Sequence, residues 1–271
     1  MKTALVTGAS SGIGKATAVL LAQNGYHVYG AARRTEKMEE LKKYGIKPIS
    51  LDVTKEESLA GCVEQILKEA GSIDILVNSA GSSNFSALED TPISDAKSQF
   101  ELNLFGVARL IQLVLPAMRK NKYGKIVNIS SVNGKFSLAM SGWYSASKFA
   151  LEGLSDALRN EVKQFGIDVI VIEPGGTKTE IAALSSDYLM RVSGNTVYKE
   201  LANKVNNSFY SPETVKCYPE PILVAKLVKQ GIEVNTPRTR YVGGAMMKFT
   251  LLLKRFLSDK MFDKMINSQL K

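Results

Sequence analysis

The sequence predicts a single α/β domain over residues 1–271, with helices on both faces of a doubly wound, seven-stranded, mostly parallel sheet. Short β-branched or apolar runs alternate with segments of helical length, and this order implies right-handed crossovers between parallel strands. The strands are apolar throughout rather than alternating, as expected of a sheet that is covered on both faces. No internal repeat, low-complexity segment or linker divides the chain.

The predicted elements follow one another along the whole chain. The strands are Thr3–Thr7, His27–Ala31, Pro48–Leu51, Ile73–Asn78, Lys125–Ile129, Ile167–Ile172 and Arg240–Val242. The main helices between them are Ile13–Asn24, Lys55–Ala70, Ile93–Asn121 and Trp143–Phe165. An irregular insertion of about residues 180–217 follows the sixth strand.

Composition excludes several classes of protein. With 45% hydrophobic and 23% charged residues, the chain has the proportions of a globular protein. The two cysteines, Cys62 and Cys217, lie far apart without metal-ligand spacing, which excludes a disulfide scaffold and a zinc knuckle. His27 is the sole histidine, so we expect neither Ser–His–Asp hydrolysis nor a metal site.

The net charge of +9 is spread along the chain without a nucleic-acid-binding motif, so we expect no nucleic-acid partner. The segment 1–7 is too short for a secretory signal. No apolar stretch reaches the roughly 18 residues of a bilayer span, the longest candidate being 249–257, which Lys254 and Arg255 interrupt. These features predict a soluble, cytoplasmic protein.

A glycine-rich turn follows the first strand. The segment Thr7–Gly14 reads TGASSGIG and leads into a helix. Glycines there allow a tight turn and a close approach of the backbone, and the helix N-terminus offers free N–H groups and partial positive charge to a pyrophosphate. The predicted phosphate-binding residues are Gly8, Ser10, Ser11, Gly12, Ile13 and Gly14.

Two arginines follow the second strand. A cofactor with a free ribose 2′-hydroxyl favours an acidic residue at this point, whereas a 2′-phosphate favours arginine. Ala32 stands where the acid would be, and Arg33 and Arg34 come next. Guanidinium groups can grip a phosphate through paired hydrogen bonds. NADP(H) is therefore favoured over NAD(H), with Arg33 as the main phosphate ligand and Arg34 assisting. A solvated arginine pair is the alternative.

Tyr144 and Lys148 lie four residues apart and therefore on one helical face. Oxidation of an alcohol needs a base, and reduction of a carbonyl needs the matching acid. A free tyrosine has a pKa of about 10, which a nearby ammonium would lower. Ser131 ends the fifth strand at the edge where such sheets bind ligands, and its hydroxyl could polarise a reacting oxygen.

Together these residues resemble the short-chain dehydrogenase/reductase family. The landmarks occur in the family's order: TGxxxGxG at Thr7–Gly14, Asp52 with Val53, the segment 78–81, Asn103, Ser131, Tyr144 with Lys148, and PGxxxT at 174–179. The resemblance covers about residues 3–179, and more loosely the remainder. It implies a Rossmann fold and an oxidoreductase that acts on CH–OH groups with a nicotinamide cofactor.

The resemblance also implies roles for individual residues. Tyr144 would be the general acid/base, Lys148 would bind the nicotinamide ribose, Ser131 would polarise the substrate oxygen, and Asn103 would hold a water of the proton relay, although an Asn that kinks its helix is the alternative. Asp52 and Val53 would meet adenine, although Asp52 could equally cap a helix. The remaining cofactor contacts would be Asn78, Ala80, Gly81, Pro174, Gly175, Thr177 and Thr179. Asn78 would mainly brace the sheet.

The substrate is less well defined. In this family the segment after PGxxxT forms a lid, here residues 180–217. Its apolar residues could floor a pocket or anchor the lid: Leu184, Tyr188, Leu189, Met190, Val197, Tyr198, Phe209 and Tyr210. Phe85, Phe136 and Trp143 flank the expected cleft. The segment 146–153 is similar to hydroxysteroid, retinol and acyldihydroxyacetone-phosphate reductases, which favours a lipophilic alcohol or carbonyl.

The C-terminal segment is basic and amphipathic. Residues 246–271 carry six Lys or Arg against two Asp. Met246, Phe249, Leu253, Phe256 and Leu257 share one helical face. Either the segment docks weakly on anionic lipid, or it packs on the body or another subunit. The family resemblance further implies a homodimer or homotetramer, and an inactive NADP(H)-sensing protein is the alternative function.

Overall fold

All seven predicted strands lie in one sheet in the computed structural model, which describes residues 1–270. The strand order is β3-β2-β1-β4-β5-β6-β7, and each neighbouring pair is parallel. The strands are β1 Thr3–Thr7, β2 His27–Ala32, β3 Lys47–Ser50, β4 Ile75–Asn78, β5 Gly124–Ile129, β6 Ile167–Glu173 and β7 Arg240–Val242. The predicted doubly wound fold is confirmed, and the sheet is parallel in every described pair rather than mostly so.

Helices surround this sheet. The α-helices are α1 Gly12–Gln23, α2 Glu56–Ala70, α3 Ile93–Phe100, α4 Gly106–Lys120, α5 Gly142–Val162, α6 Glu180–Ser193, α7 Lys199–Phe209, α8 Pro212–Lys216, α9 Pro221–Glu233, α10 Ala245–Phe256 and α11 Asp259–Asn267. Short 3₁₀ segments cover Thr35–Tyr44, Val132–Gly134 and Lys163–Phe165. The predicted irregular insertion is thus three helices, α6, α7 and α8.

The continuous apolar strands bury both of their faces. Successive side chains of a strand point to opposite sides of a sheet. Leu5 of β1 accordingly packs in the core on the side of α2, α4 and α5. Its neighbour Val6 packs on the opposite side with residues of α1 and α9. Burial on both faces explains why the strands lack a polar alternation.

One long helix carries the connection between β4 and β5. Residues 93–120 are helical throughout, but Glu101–Phe105 forms a π-turn between α3 and α4. By length and composition alone this helix could cross a membrane, contrary to the expectation that no stretch qualifies. Its residues Val107, Leu110 and Val114 are buried in the core against the sheet, as in the core helix of a globular protein.

The topology determines where a ligand can bind. The strand order changes direction between β1 and β4, so the connections that leave these strands diverge. Such a switch point opens a crevice at the carboxyl ends of the strands. Thr7, Asn78 and Ile129 end their strands at this edge.

Candidate active site

A cleft of about 1230 Å³ occupies this edge of the sheet. Its walls include most of the residues that the sequence predicts for the site, namely Gly8, Ser10, Ser11, Gly12, Ile13, Gly14, Arg33, Arg34, Asp52, Val53, Ala80, Gly81, Ser131, Tyr144, Lys148, Pro174, Gly175, Thr177 and Thr179. The cleft is larger than a typical site for one small ligand, so it has room for a nucleotide and a second molecule. Asn78 and Asn103 do not line it.

The glycine-rich turn forms a cradle that larger residues would fill. Gly8 and Gly12 have φ values of 69° and 54°, in the left-handed region that favours glycine. A Cβ on Gly14 would lie 2.4 Å from the carbonyl oxygen of Gly8. Ser11, the N-cap of α1, makes no side-chain cap hydrogen bond. This turn and the helix N-terminus fit the pyrophosphate of a dinucleotide.

A carboxylate already bridges two cations beside this cradle. The guanidinium of Arg34 donates to Glu180 Oε2 at 3.2 Å, and Lys37 Nζ donates to Glu180 Oε1 at 3.2 Å. Arg34 also reaches the hydroxyls of Ser10 and Ser11, at 3.3 and 3.4 Å. Glu180 begins the first lid helix, α6. Its carboxylate therefore marks a position where these two cations can hold an anion.

The two arginines differ in their surroundings. Both are exposed, but Arg33 lies near Asp52, and its positive charge helps to lower the pKa of that carboxyl. Burial raises the pKa of Asp52, but hydrogen bonds from the backbone N–H and hydroxyl of Thr54, at 3.0 and 2.7 Å, lower it, and the net shift is downward. Asp52 thus secures the turn before α2 but does not cap that helix, whose N-cap is Lys55, so the capping alternative is wrong; the contact with adenine stays a prediction. Arg34, rather than Arg33, contacts the glycine-rich turn.

Three predicted catalytic side chains converge at the inner end of the cleft. Lys148 Nζ donates to the carbonyl oxygen of Ile129 at 2.9 Å and lies 5.9 Å from the centroid of the Tyr144 ring. Ser131 is the N-cap of the 3₁₀ turn after β5, and its hydroxyl accepts from the N–H of Asn133 at 3.1 Å. The hydroxyl of Ser131 donates to Pro174 O at 3.5 Å and lies close enough to the phenol of Tyr144 to lower its pKa. Strand end, turn and helix therefore bring the three groups together.

The electrostatics of this group differ in one respect from the sequence-based expectation. Burial raises the pKa of Tyr144, and the hydroxyl of Ser131, rather than the ammonium of Lys148, is the group that lowers it. The pKa of Lys148 is lowered to about 8 by burial, although the negative charge of Glu152 acts in the opposite direction and raises it. A desolvated ammonium loses its proton more readily, and this weakens its ability to lower the pKa of a neighbouring phenol.

The two asparagines outside the cleft support its floor. Asn103 projects from the π-turn, donates to Ser82 O at 2.9 Å and to Ser147 Oγ at 3.1 Å, and accepts from the N–H of Ser82 at 2.9 Å. Asn78 donates to Asn128 Oδ1 at 2.8 Å, across β4 and β5. The structure therefore places Asn78 in a sheet brace rather than against a cofactor. A water relay at Asn103 stays a prediction.

A buried charge cluster lies behind the catalytic helix, and the sequence analysis did not identify it. Glu152, one helical turn after Lys148, contacts Lys135 at 2.8 Å and Arg240 at 2.9 Å. Glu173, at the end of β6, contacts Arg240 at 3.2 Å. Both carboxylates are almost fully buried. The cluster thereby ties α5 to the end of β6, to the start of β7 and to the turn after β5.

Some of the apolar lid residues line the cleft, and others anchor the lid on the body of the protein. Leu184, Phe209 and Tyr210 line the cleft. Other lid residues, Tyr188, Leu189, Met190 and Tyr198, are buried or packed in the body, and Val197 is exposed. Of the flanking aromatics, Phe85 and Phe136 line the cleft. Trp143 instead packs edge-on against Phe100.

A family model described as short chain dehydrogenase matches residues 2–188, more than half of the chain. The chain belongs to the short-chain dehydrogenase family. It therefore has the dehydrogenase or reductase activity class of that family and its nicotinamide cofactor type. A short-chain dehydrogenase structure from Streptomyces avermitilis matches with a TM-score of 0.82 and 34% identity, and covers 94% of this chain and 92% of its own.

Two curated relatives bear names that state a substrate. The 3-ketodihydrosphingosine reductase of Bacteroides thetaiotaomicron is 36% identical over 95% of this chain and 93% of its own length. The NADPH-dependent 3-dehydrocapnine reductase of Ornithobacterium rhinotracheale is 31% identical over 100% of this chain and 98% of its own length.

Proposed function

We propose that this short-chain dehydrogenase is an NADPH-dependent reductase of a ketone on a long alkyl chain, acting reversibly on the matching secondary alcohol. The observation that carries the proposal is the convergence of Tyr144, Ser131 and Lys148 at the inner end of a cleft whose outer part is the glycine cradle. Nucleotide binding and proton transfer can therefore take place in one cavity.

The chain's own residues supply binding and proton transfer. NADPH, when bound, supplies the hydride that the carbonyl carbon needs. The hydroxyl of Ser131 donates a hydrogen bond to the carbonyl oxygen, and Tyr144 gives its phenolic proton to that oxygen as negative charge develops there. Lys148, anchored on Ile129 O, would hold the ribose, and the hydroxyl of Ser131 favours the phenolate that remains. Asn103 keeps α5, the helix that carries Tyr144 and Lys148, in position through its hydrogen bond to Ser147.

The preference for NADPH rests on the anion position beside the cradle. Arg34 and Lys37 share the Glu180 carboxylate at 3.2 Å, and a 2′-phosphate would offer the same pair of cations an anion with greater charge. The name of the Ornithobacterium relative also states NADPH dependence. Arg34 is therefore the main phosphate ligand in this proposal, with Lys37 beside it.

The preference for a lipophilic substrate rests on the far wall of the cleft. This wall is apolar and includes Phe85, Phe136, Leu184, Phe209 and Tyr210. Burying an alkyl chain against such a wall contributes about 0.8 kcal/mol per methylene group. The Bacteroides relative is named for a ketone of a long-chain base, and the proposed substrate has this chemistry.

The test is turnover by Tyr144→Phe with NADPH and 3-ketodihydrosphingosine. We expect turnover to fall by roughly 10²- to 10⁴-fold because the proton donor is lost, with NADPH binding kept. The matched control is Tyr210→Phe, which removes a second phenol of the same cleft whose hydroxyl faces Ser185 rather than Ser131. Tyr210→Phe should keep most of the turnover.

The same experiment separates the alternatives. Retained turnover in Tyr144→Phe would overturn the role of Tyr144. NADPH binding by the unaltered chain without turnover of any long-chain ketone would instead favour the NADP(H)-sensing protein.

A further inference from the structure

Helix α10 carries apolar residues on two opposite sides. Met247 and Leu251 pack inward in a cluster with Phe136 and Phe262. On the opposite side, large apolar side chains are open to solvent. They are Met246 (75% exposed), Phe249 (60%), Leu252 (52%) and Phe256 (76%). We call these four residues the outer apolar face of α10. A contiguous exposed face of this kind indicates a binding surface.

Basic residues border this face. At 100° per residue, Lys248 and Arg255 fall beside Leu252 on one edge of the outer apolar face. Both are exposed. Within residues 245–270 there are five Lys or Arg against two Asp, so the whole helix pair is positively charged. An apolar face with a basic border is the pattern of helices that lie at the surface of an anionic bilayer.

The outer apolar face continues into the cleft. Met246 and Phe249 belong to the face and also line the cleft wall. Across the opening, Ile181 and Leu184 of α6 line the same cleft and are 40% and 62% exposed. An alkyl chain could therefore move from an apolar phase at the outer face into the cleft without crossing water.

We propose that the outer apolar face of α10 docks on an anionic lipid surface, so that the cleft opens toward the lipid. The apolar residues would enter the boundary between headgroups and acyl chains, while Lys248 and Arg255 contact the headgroups. Docking rests on the exposed face and its charge alone. Entry of the substrate from the lipid rests in addition on the proposed function.

The docking step is tested by co-sedimentation of the full chain with two kinds of vesicle. One contains phosphatidylcholine alone, and the other contains equal parts of phosphatidylcholine and phosphatidylglycerol. We expect binding to the anionic vesicles that weakens as salt is raised, with little binding to the neutral ones.

Two double variants test which residues bind. Leu252→Ser with Phe256→Ser should weaken binding at least about tenfold, because two apolar side chains no longer enter the bilayer. Lys248→Glu with Arg255→Glu should weaken it by more than about tenfold, since each basic residue near an anionic surface contributes about fivefold. The matched controls change residues elsewhere: Leu88→Ser with Ile93→Ser, and Lys97→Glu with Lys120→Glu. Both controls should bind as the unaltered chain does.

The proposal is overturned if the full chain does not bind anionic vesicles, or if Leu252→Ser with Phe256→Ser binds them as strongly as the unaltered chain does. It is also overturned if this variant instead lowers the mass of the protein in solution, because a second copy would then cover the face. Turnover separates the two proposals: the variant should slow reduction of a ketone embedded in vesicles and leave reduction of a water-soluble short-chain ketone unchanged. If the unaltered chain reduces neither ketone, this result would count against the proposed function alone.

Discussion

Arg34 and Lys37 are held by a carboxylate of the chain itself, at the position that we assign to the 2′-phosphate. Glu180 lies 146 residues from Arg34 and 143 from Lys37 in the sequence. The pattern after the second strand therefore predicts an arginine site but not Lys37, because the lysine becomes relevant only when the fold brings α6 across the cradle. Tyr144, Lys148 and Ser131 could be predicted because their spacing is local or falls at a strand end.

Replacing Arg34 and Lys37 by alanine should weaken NADPH binding by at least about tenfold while changing NADH binding little, since each lost hydrogen bond to a charged group contributes about 1.5–3 kcal/mol. Titration of both cofactors measures this. Glu180→Gln is the matched control, because it removes the competing carboxylate and should tighten NADPH binding. Equal weakening of both cofactors would place the 2′-phosphate elsewhere.

Lys148 should make stability depend on pH. Its folded-state pKa of about 8 lies below the ordinary value of 10.5, so the unfolded chain binds more protons between these values. The burial of its charge is unfavourable below pH 8, and this cost, up to about 3 kcal/mol, is relieved as pH rises toward 10.5. The free energy of unfolding should therefore rise with pH in this window relative to Lys148→Met. Denaturant titrations at pH 7 and 10 that show a constant difference would contradict this.

At the scale of elements, the buried charge cluster joins parts that the sequence presents separately. Glu152 on α5, Glu173 on β6, Arg240 on β7 and Lys135 after β5 meet behind the catalytic helix. The strands themselves were predictable because their apolar runs are continuous. The cluster was not, because nothing local pairs residues that lie up to 88 positions apart in sequence.

Glu173→Gln should change the pH dependence in the opposite direction to Lys148→Met. Burial, and then the neighbouring charge of Glu152, raises the pKa of Glu173 from 4.5 to about 7. The positive charges of Lys135 and Arg240 lower it, but by less. The stability that this group contributes is fully present below pH 4.5 and is lost as pH rises through 7. The unaltered chain should lose up to about 3 kcal/mol relative to Glu173→Gln over that range. Denaturant titrations measure this, with Glu161→Gln, an exposed carboxylate on α5, as the control.

At the scale of the whole molecule, assembly into a homodimer or homotetramer stays a prediction, as does the single domain. Phe105 in the π-turn and Phe149 on α5 are 54% and 45% exposed, on elements that pack against each other. A Cβ on Gly153 of α5 would meet nothing within 4 Å. We therefore expect a second copy to pack on this outer side of the π-turn and α5.

Phe149→Asp should lower the association constant by at least about tenfold, because a charge would be buried at the contact. Light scattering of the unaltered chain, of Phe149→Asp and of Leu88→Asp as control measures the mass. An unaltered chain that is monomeric would contradict the prediction, as would an unchanged mass in Phe149→Asp.

The π-turn at Glu101–Phe105 has a consequence for insertions and deletions in this chain. A π-turn accommodates one extra residue locally, so the helical segments on either side keep their phase. Shortening the turn by one residue would therefore leave a regular helix with Leu110 still facing the sheet, while Asn103 could no longer reach Ser82 and Ser147. Deletion of one residue at this point should therefore leave the fold intact, while α5 loses the hydrogen bond from Asn103 that holds it in place.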